Sequence, residues 1–272
     1  MQLLSGKTNI DFMSRQRQAL KISGIVIAVC LLSFLFRGMN WGLDFTGGTV
    51  IEVAYAQPTD IPQVRETLAE AGFGDAQIQH FGTSSEVLIR LAPREGLNSA
   101  AISSQVLEAL KAGSQVEVTM RRVEFVGPQV GDELVEDGGL AMLLAMIGIL
   151  IYVALRFEWR LAVGAIAAVF HDVVITVGLF SILGVEFDLT VLAAVLAVIG
   201  YSVNDTVVIF DRIRENFRRM RKGTVLEIMN TSINQTLART LMTSLTTLLA
   251  VVTLFLLGGP VLKGFSLALI IG

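Results

Sequence analysis

The chain has 272 residues, of which 53% are hydrophobic and 17% charged, with a formal net charge of −3. Soluble domains carry roughly 25% charged residues, so an ordinary aqueous fold is excluded unless the apolar residues are evenly spread. They are instead gathered into runs at 20–36, 139–157, 161–183, 189–210, 240–257 and 261–272, and a bilayer core about 30 Å thick needs about 20 such residues per helix.

The N-terminal stretch is basic, with Lys7, Arg15, Arg17 and Lys21 ahead of the first run. That run holds the single cysteine, Cys30, which has no second cysteine for an intramolecular disulfide. It continues into SFLFRGMNW, where no small-residue cleavage site stands, so an uncleaved anchor is expected. Directly after it comes NWGLDFTGGT, with Asp44, Phe45, Gly47 and Gly48. A matching glycine-bearing segment, VGPQVGDEL, precedes the second run and contains Gly127, Pro128 and Gly131. Glycine permits positive φ and close backbone approach, and proline sets a bend. Both segments read either as shaped linkers or as hinges between an external domain and a bundle of spans.

Between them, strand and helix signals alternate. TVIEVAY reads as a strand from its β-branched alternation. DIPQVRETLAEAGFG reads as a helix, with Asp60 as N-cap, Pro62 in the first turn and Gly72 near the C-cap. AQIQHF and SEVLIRL are short strands joined by Gly82, Thr83 and Ser84, NSAAISSQVLEALKAG is a second helix ended by Gly113, and QVEVTMRRVEFV is a last, longer strand. The order β-α-β-β-α-β is that of a small α+β, ferredoxin-like unit. His80 has no second ligand at metal spacing, and no P-loop, GxGxxG or Ser/His/Asp set is present. No metal, no cofactor and no enzymatic activity are therefore expected. The region 37–137 holds fifteen Asp/Glu against seven Lys/Arg, which argues against nucleic acid.

The remaining runs carry three ionisable residues at depth: Asp172 in VFHDVVIT, Asp205 in SVNDTVVIF and Arg239 in TLARTLMTS. Charges inside spans are costly and mark function or a protein-lined cavity. Counted at about 1.5 Å per residue, Asp205 lies roughly 24 Å from Leu189, Arg239 roughly 27 Å from Leu257 and Asp172 roughly 16 Å from Leu183. Asp205 and Arg239 thus share a level, with Asn204, Ser202, Thr206 and Thr236 near it. The pair reads either as a structural clip or as a proton relay, in which the carboxylate titrates and the guanidinium tunes it. His171 and Asp172 face about 100° apart on a helix, and His171 reads as structural. Gly164, Gly178, Gly184 and Gly200 allow close helix approach. The stretch NFRRMRKGTVLEIMNTSINQTLART is expected to lie along the membrane surface ahead of the fifth span.

Twelve Lys/Arg fall in 1–21, 156–160 and 211–223, and short basic loops stay in the cytoplasm. This orients the chain with its N-terminus inside and divides it into 1–38 (N-terminus and first span), 39–135 (external domain) and 136–272 (second to sixth spans). The sixth run stops at Gly272, so its span is expected to be incomplete.

GLDFTGGT, VGPQVGDEL and VLAVIGYSVNDTVVIFDRIRENFR together resemble the SecF side of the bacterial SecD/SecF protein-export family, over almost the whole chain. The resemblance implies a polytopic α-helical bundle of six spans related to the RND transporters, with a ferredoxin-like periplasmic domain. It implies a multi-pass inner-membrane protein, partnered by SecD beside the SecYEG channel and by YajC and YidC. There the proton-motive force would help draw unfolded polypeptides across the membrane. The family's membrane Asp and Arg map onto Asp205 and Arg239, with Asn204 in the same motif, and Asp172 also stands in a family-like context. An RND-type small-molecule exporter, of which this chain would be half, is the alternative; it predicts two large external domains and a full repeat of the bundle, where the sequence shows one domain and one half-bundle. An intramembrane hydrolase lacks its motifs.

Overall fold

The computed structural model describes residues 8–93, 99–114, 116–157, 159–220 and 223–272. Lys7, Arg221 and Lys222, counted above as orienting cations, lie outside the described residues, as do Asn98 and Gln115. In chain order the elements are a 3-10 turn (Met13–Arg15), α1 (Gln16–Arg37), α2 (Leu43–Thr46), β1 (Gly48–Tyr55), α3 (Ile61–Glu70), β2 (Gln77–Phe81) and β3 (Thr83–Leu91). They continue with α4 (Ser99–Gly113), β4 (Val118–Val126), α5 (Pro128–Arg156), α6 (Trp159–Leu183), α7 (Leu189–Arg219), α8 (Val225–Leu257) and α9 (Gly259–Ile271). Two compact units emerge, Trp41–Gly139 and Met1–Asn40 with Leu140–Gly272.

The first unit is an antiparallel sheet ordered β2-β3-β1-β4, the ferredoxin-like arrangement expected of its element order. Alternating strand residues such as Ile51, Val53, Val87 and Ile89 meet Leu68 and Val106 from α3 and α4 in one buried core. Each such side chain contributes about 1.5–3 kcal/mol on burial. Gly48 has φ +117°, and a Cβ there would collide with the Leu91 carbonyl, so β1 can lie against β3 only with glycine at its start. Tyr55, at the far end of β1, is buried, and desolvation pushes its phenol up to about 12.

The second unit is helical. Five helices, α1 and α5 to α8, are long and apolar enough to cross a membrane, and the shorter α9 is apolar as well. The protein is a multi-pass membrane protein. α7 is the hub, packed by α6, α8 and α9, while α1 packs on α6. That last contact is very close: a Cβ on Gly178 would lie 2.6 Å from the Cys30 Sγ, and Cys30 is 1% exposed. The C-terminal end of α1 is pinned to the α6–α7 connection. Arg37 Nη1 donates to the Ile182 carbonyl at 2.8 Å, Ser181 Oγ to Gly38 at 2.7 Å and Asn40 Nδ2 to Gly184 at 3.1 Å.

The other end of α1 is held by a strap. Asn234 Nδ2 and Asn230 Nδ2 both donate to the Ile10 carbonyl, at 2.8 and 3.0 Å. Their side-chain oxygens accept from Ile10 N at 2.9 Å and Phe12 N at 2.8 Å. The two asparagines stand four apart on α8 and so share a face. In this way they clasp the backbone leading into α1.

The structure corrects one expectation. The stretch from Asn216 to Thr240 is no surface helix preceding the fifth span. Its described residues form the end of α7, the N-cap Thr224 and the first half of a continuous α8. Thr224 and Glu227 make a reciprocal capping box that starts α8 at once. Buried Asn216 donates to Ser232 Oγ and Gln235 Oε1, both at 2.9 Å, closing the α7–α8 hairpin.

Gly178→Ala is expected to part α1 from α6, seen as faster maleimide labelling of Cys30 in native membranes. The double change Asn230→Ala with Asn234→Ala removes the strap, at about 1 kcal/mol per lost hydrogen bond, and is expected to speed trypsin cleavage at Arg15 and Arg17.

Candidate functional site

Asp205 lies fourteen residues before the end of α7, and Arg239 fourteen residues after the start of α8. Because the two helices form a hairpin, equal counts place both about 21 Å from the turn. The Asp205 carboxylate is half-buried and Arg239 exposed. The guanidinium exerts a Coulombic pull on the carboxylate, but the two make no ion pair within 4.0 Å. Among the described residues the Asp205 carboxylate makes no hydrogen bond either. The two groups are at one level, in electrostatic reach and uncommitted to each other.

Asp172 is differently placed. Its Oδ2 accepts from Ser202 Oγ at 2.6 Å, across the α6–α7 interface. Its Oδ1 accepts from His171 Nδ1 at 2.9 Å, the ring folding back on its neighbour despite their divergent directions on the helix. Ser202, which depth alone grouped with Asp205, therefore belongs to Asp172. Only their similar depth was readable by counting across the α6–α7 connection, since Asp172 is eleven residues before the end of α6 and Ser202 thirteen after the start of α7.

The other polar residues separate as well. Asn204 is exposed and turned away from the packed interior. Thr236 is buried, and its hydroxyl donates to the Ser232 carbonyl of its own helix at 3.1 Å. Two buried hydroxyls at this level, Tyr201 and Thr240, have no hydrogen-bond partner among the described residues. Unused buried donors are uncommon enough to need a reason.

The two glycine-bearing segments meet each other within the external unit. A Cβ on Gly131, in the first turn of α5, would lie 3.2 Å from Gly47 N, 3.5 Å from the Phe45 carbonyl and 3.6 Å from the Asp44 carbonyl. Backbone thus rests on backbone, and a Cβ there would fit only if the Gly47 backbone gave way by a few tenths of an ångström. Gly47 and Gly48 both have positive φ, carrying the chain out of the single turn of α2 and into β1. Trp41 covers the joint edge-on to Phe45, with ring centroids 5.8 Å apart. Pro128 begins α5, and Gly127 has open space beside it. No group of three potential metal ligands occurs among the described residues.

Gly131→Val is expected to lift α2 off α5 and to cost about 1–3 kcal/mol of stability, the usual range for overpacking. Gly127→Ala, into open space, serves as the neutral control. Thermal melts of the detergent-solubilised protein compare the two.

A family model described as protein export membrane protein SecD/SecF, C-terminal, matches residues 105–272, and one described as the SecD/SecF GG motif matches residues 32–59. The chain is similar to the protein translocase subunit SecF of Vibrio alginolyticus, 51% identical over 100% of this chain and 86% of that one. It is similar to the same subunit from Escherichia coli O157:H7, 47% identical over 100% of this chain and 84% of that one. Its fold matches the crystal structure of SecDF, a translocon-associated membrane protein from Thermus thermophilus, with a TM-score of 0.87 and 39% identity over 100% of this chain. The chain spans 37% of the length of that SecDF structure.

Proposed function

This chain belongs to the SecD/SecF family of protein-export membrane proteins, on its SecF side, and we propose that it acts as a subunit of a bacterial protein translocase that couples the proton-motive force to late stages of polypeptide export. In this reading it sits in the inner membrane with its N-terminus cytoplasmic and residues 39–135 periplasmic. It pairs with SecD and works beside the SecYEG channel, with YajC and YidC as further neighbours. Its role is mechanical, with no catalytic chemistry of its own.

The observation that carries the coupling role is the placement of Asp205 and Arg239. A carboxylate inside a span is favoured in its neutral form unless a cation supports it, so it can change charge when a proton arrives. Arginine stays protonated. Protonation of Asp205 would cancel the attraction between α7 and α8, and deprotonation would restore it. A charge crossing the membrane potential supplies about 2.3 kcal/mol per 100 mV, enough to bias two packings of a helix pair. The strap at Asn230 and Asn234 ties α8 to α1, so a shift of α8 would pull on the helix that leads into the external domain. The exposed Arg239 and Asn204 suit a bundle completed by a partner, and a SecD span is the natural cover.

Export driven by an imposed proton gradient tests this with Asp205→Asn and Arg239→Lys. The gradient-dependent part of the rate is expected to fall to the level seen without a gradient, while ATP-driven initiation persists. Unaltered export in both variants would leave the pair with a packing role only.

A further inference from the structure

The external unit contains a cavity of about 390 Å³ between the end of β1, the start of α3 and the end of α4. That is within the usual range for a ligand site. Its lining includes Tyr55, Gln57, Asp60, Gln63, Thr67 and Ser114.

Several of these groups already have partners. Thr67 Oγ1 donates to the Gln63 carbonyl at 3.0 Å, and Ser114 Oγ is engaged with Val116. The rest are uncommitted. Tyr55 is 7% exposed, its ring belongs to the core, and its hydroxyl has no partner among the described residues. Asp60 occupies the N-cap position of α3 with extended backbone, yet its side chain makes no capping hydrogen bond. An N-cap carboxylate ordinarily takes up that bond, worth about 1 kcal/mol, so this one is free for another partner. Among the described residues it also makes no ion pair, and no other charged side chain lines the cavity.

One carboxylate, a phenol and two glutamine amides form a site for a cation carried on a polar chain. The surrounding region, with fifteen acidic against seven basic residues over 37–137, would draw such a cation in. We propose that this cavity holds a lysine or arginine side chain presented by an extended polypeptide, with Asp60 as its counter-ion and Tyr55 and the glutamines on the flanking amides. The polypeptide as the source of that cation rests on the export role above. The raised pKa of Tyr55, about 12, keeps its O–H a donor at any physiological pH.

The test uses the full chain in lipid nanodiscs and fluorescent, unstructured peptides that differ only in one central residue: Lys, Gln or Glu. Anisotropy is expected to show the Lys peptide bound roughly two- to fivefold more tightly than the Gln peptide, the range of an accessible ion pair. Asp60→Asn should abolish that preference. Tyr55→Phe should weaken all three peptides together by roughly two- to tenfold, the worth of one hydrogen bond, with an unchanged melting temperature. Lysine amide alone should compete poorly. Equal binding of the three peptides, or a Lys preference that survives Asp60→Asn, overturns the proposal; full competition by lysine amide does so too, in favour of a small-amine site. Asp205→Asn should leave peptide preference intact, so failure of proton coupling and failure of this site give separate results.

Discussion

Helices in a bilayer gain nothing from hiding apolar surface from one another, because the lipid is equally apolar. Their association must come from close approach and from hydrogen bonds, and this bundle depends on both. Gly178 lets α1 reach α6 at Cys30. Asn216 bridges α7 to α8, and the backbone around Gly38 and Asn40 is threaded into the α6–α7 connection. The asparagine strap then joins α8 back to the start of α1. Contacts of this sort are few and directional, so the helices hold a defined arrangement.

The two aspartates within the spans show how the same chemistry is given different work. Asp172 accepts from Ser202 and His171, one on each oxygen, so its direction is set by the fold. Asp205 has only the electrostatic influence of Arg239. Two hydrogen bonds hold a side chain in place more firmly than a field alone, and under the proposed coupling role that difference favours Asp205 as the switching residue. Arg239 and Asn204 face outward at the same level, which suits a bundle finished by a second protein.

The external unit follows another logic. Its sheet and two helices bury one core, and its glycine joint presses the α2 turn against the first turn of α5 with no side chain between them. Such a joint keeps its geometry because any added Cβ would have to displace backbone. The cavity beside Tyr55 lies in the same unit and holds polar groups that the fold leaves unused.

Much of this was legible along the chain. Apolar runs marked the spans because hydrocarbon thickness sets a minimum length, and β-branched alternation marked β1. Counting residues placed Asp205 level with Arg239, since helix rise is constant. Other features needed the folded chain. Residues 225–240 look amphipathic in isolation, but the capping box and Asn216 make them the first half of α8. Counting gave depth without azimuth, so it could not say that Ser202 turns toward Asp172, that Arg239 stops short of an ion pair, or that Asn204 faces out. Nor could it join Gly131 to Gly47, or Asn230 to Ile10. Composition and periodicity act locally and survive in one dimension, whereas direction and partner choice arise only when distant segments pack.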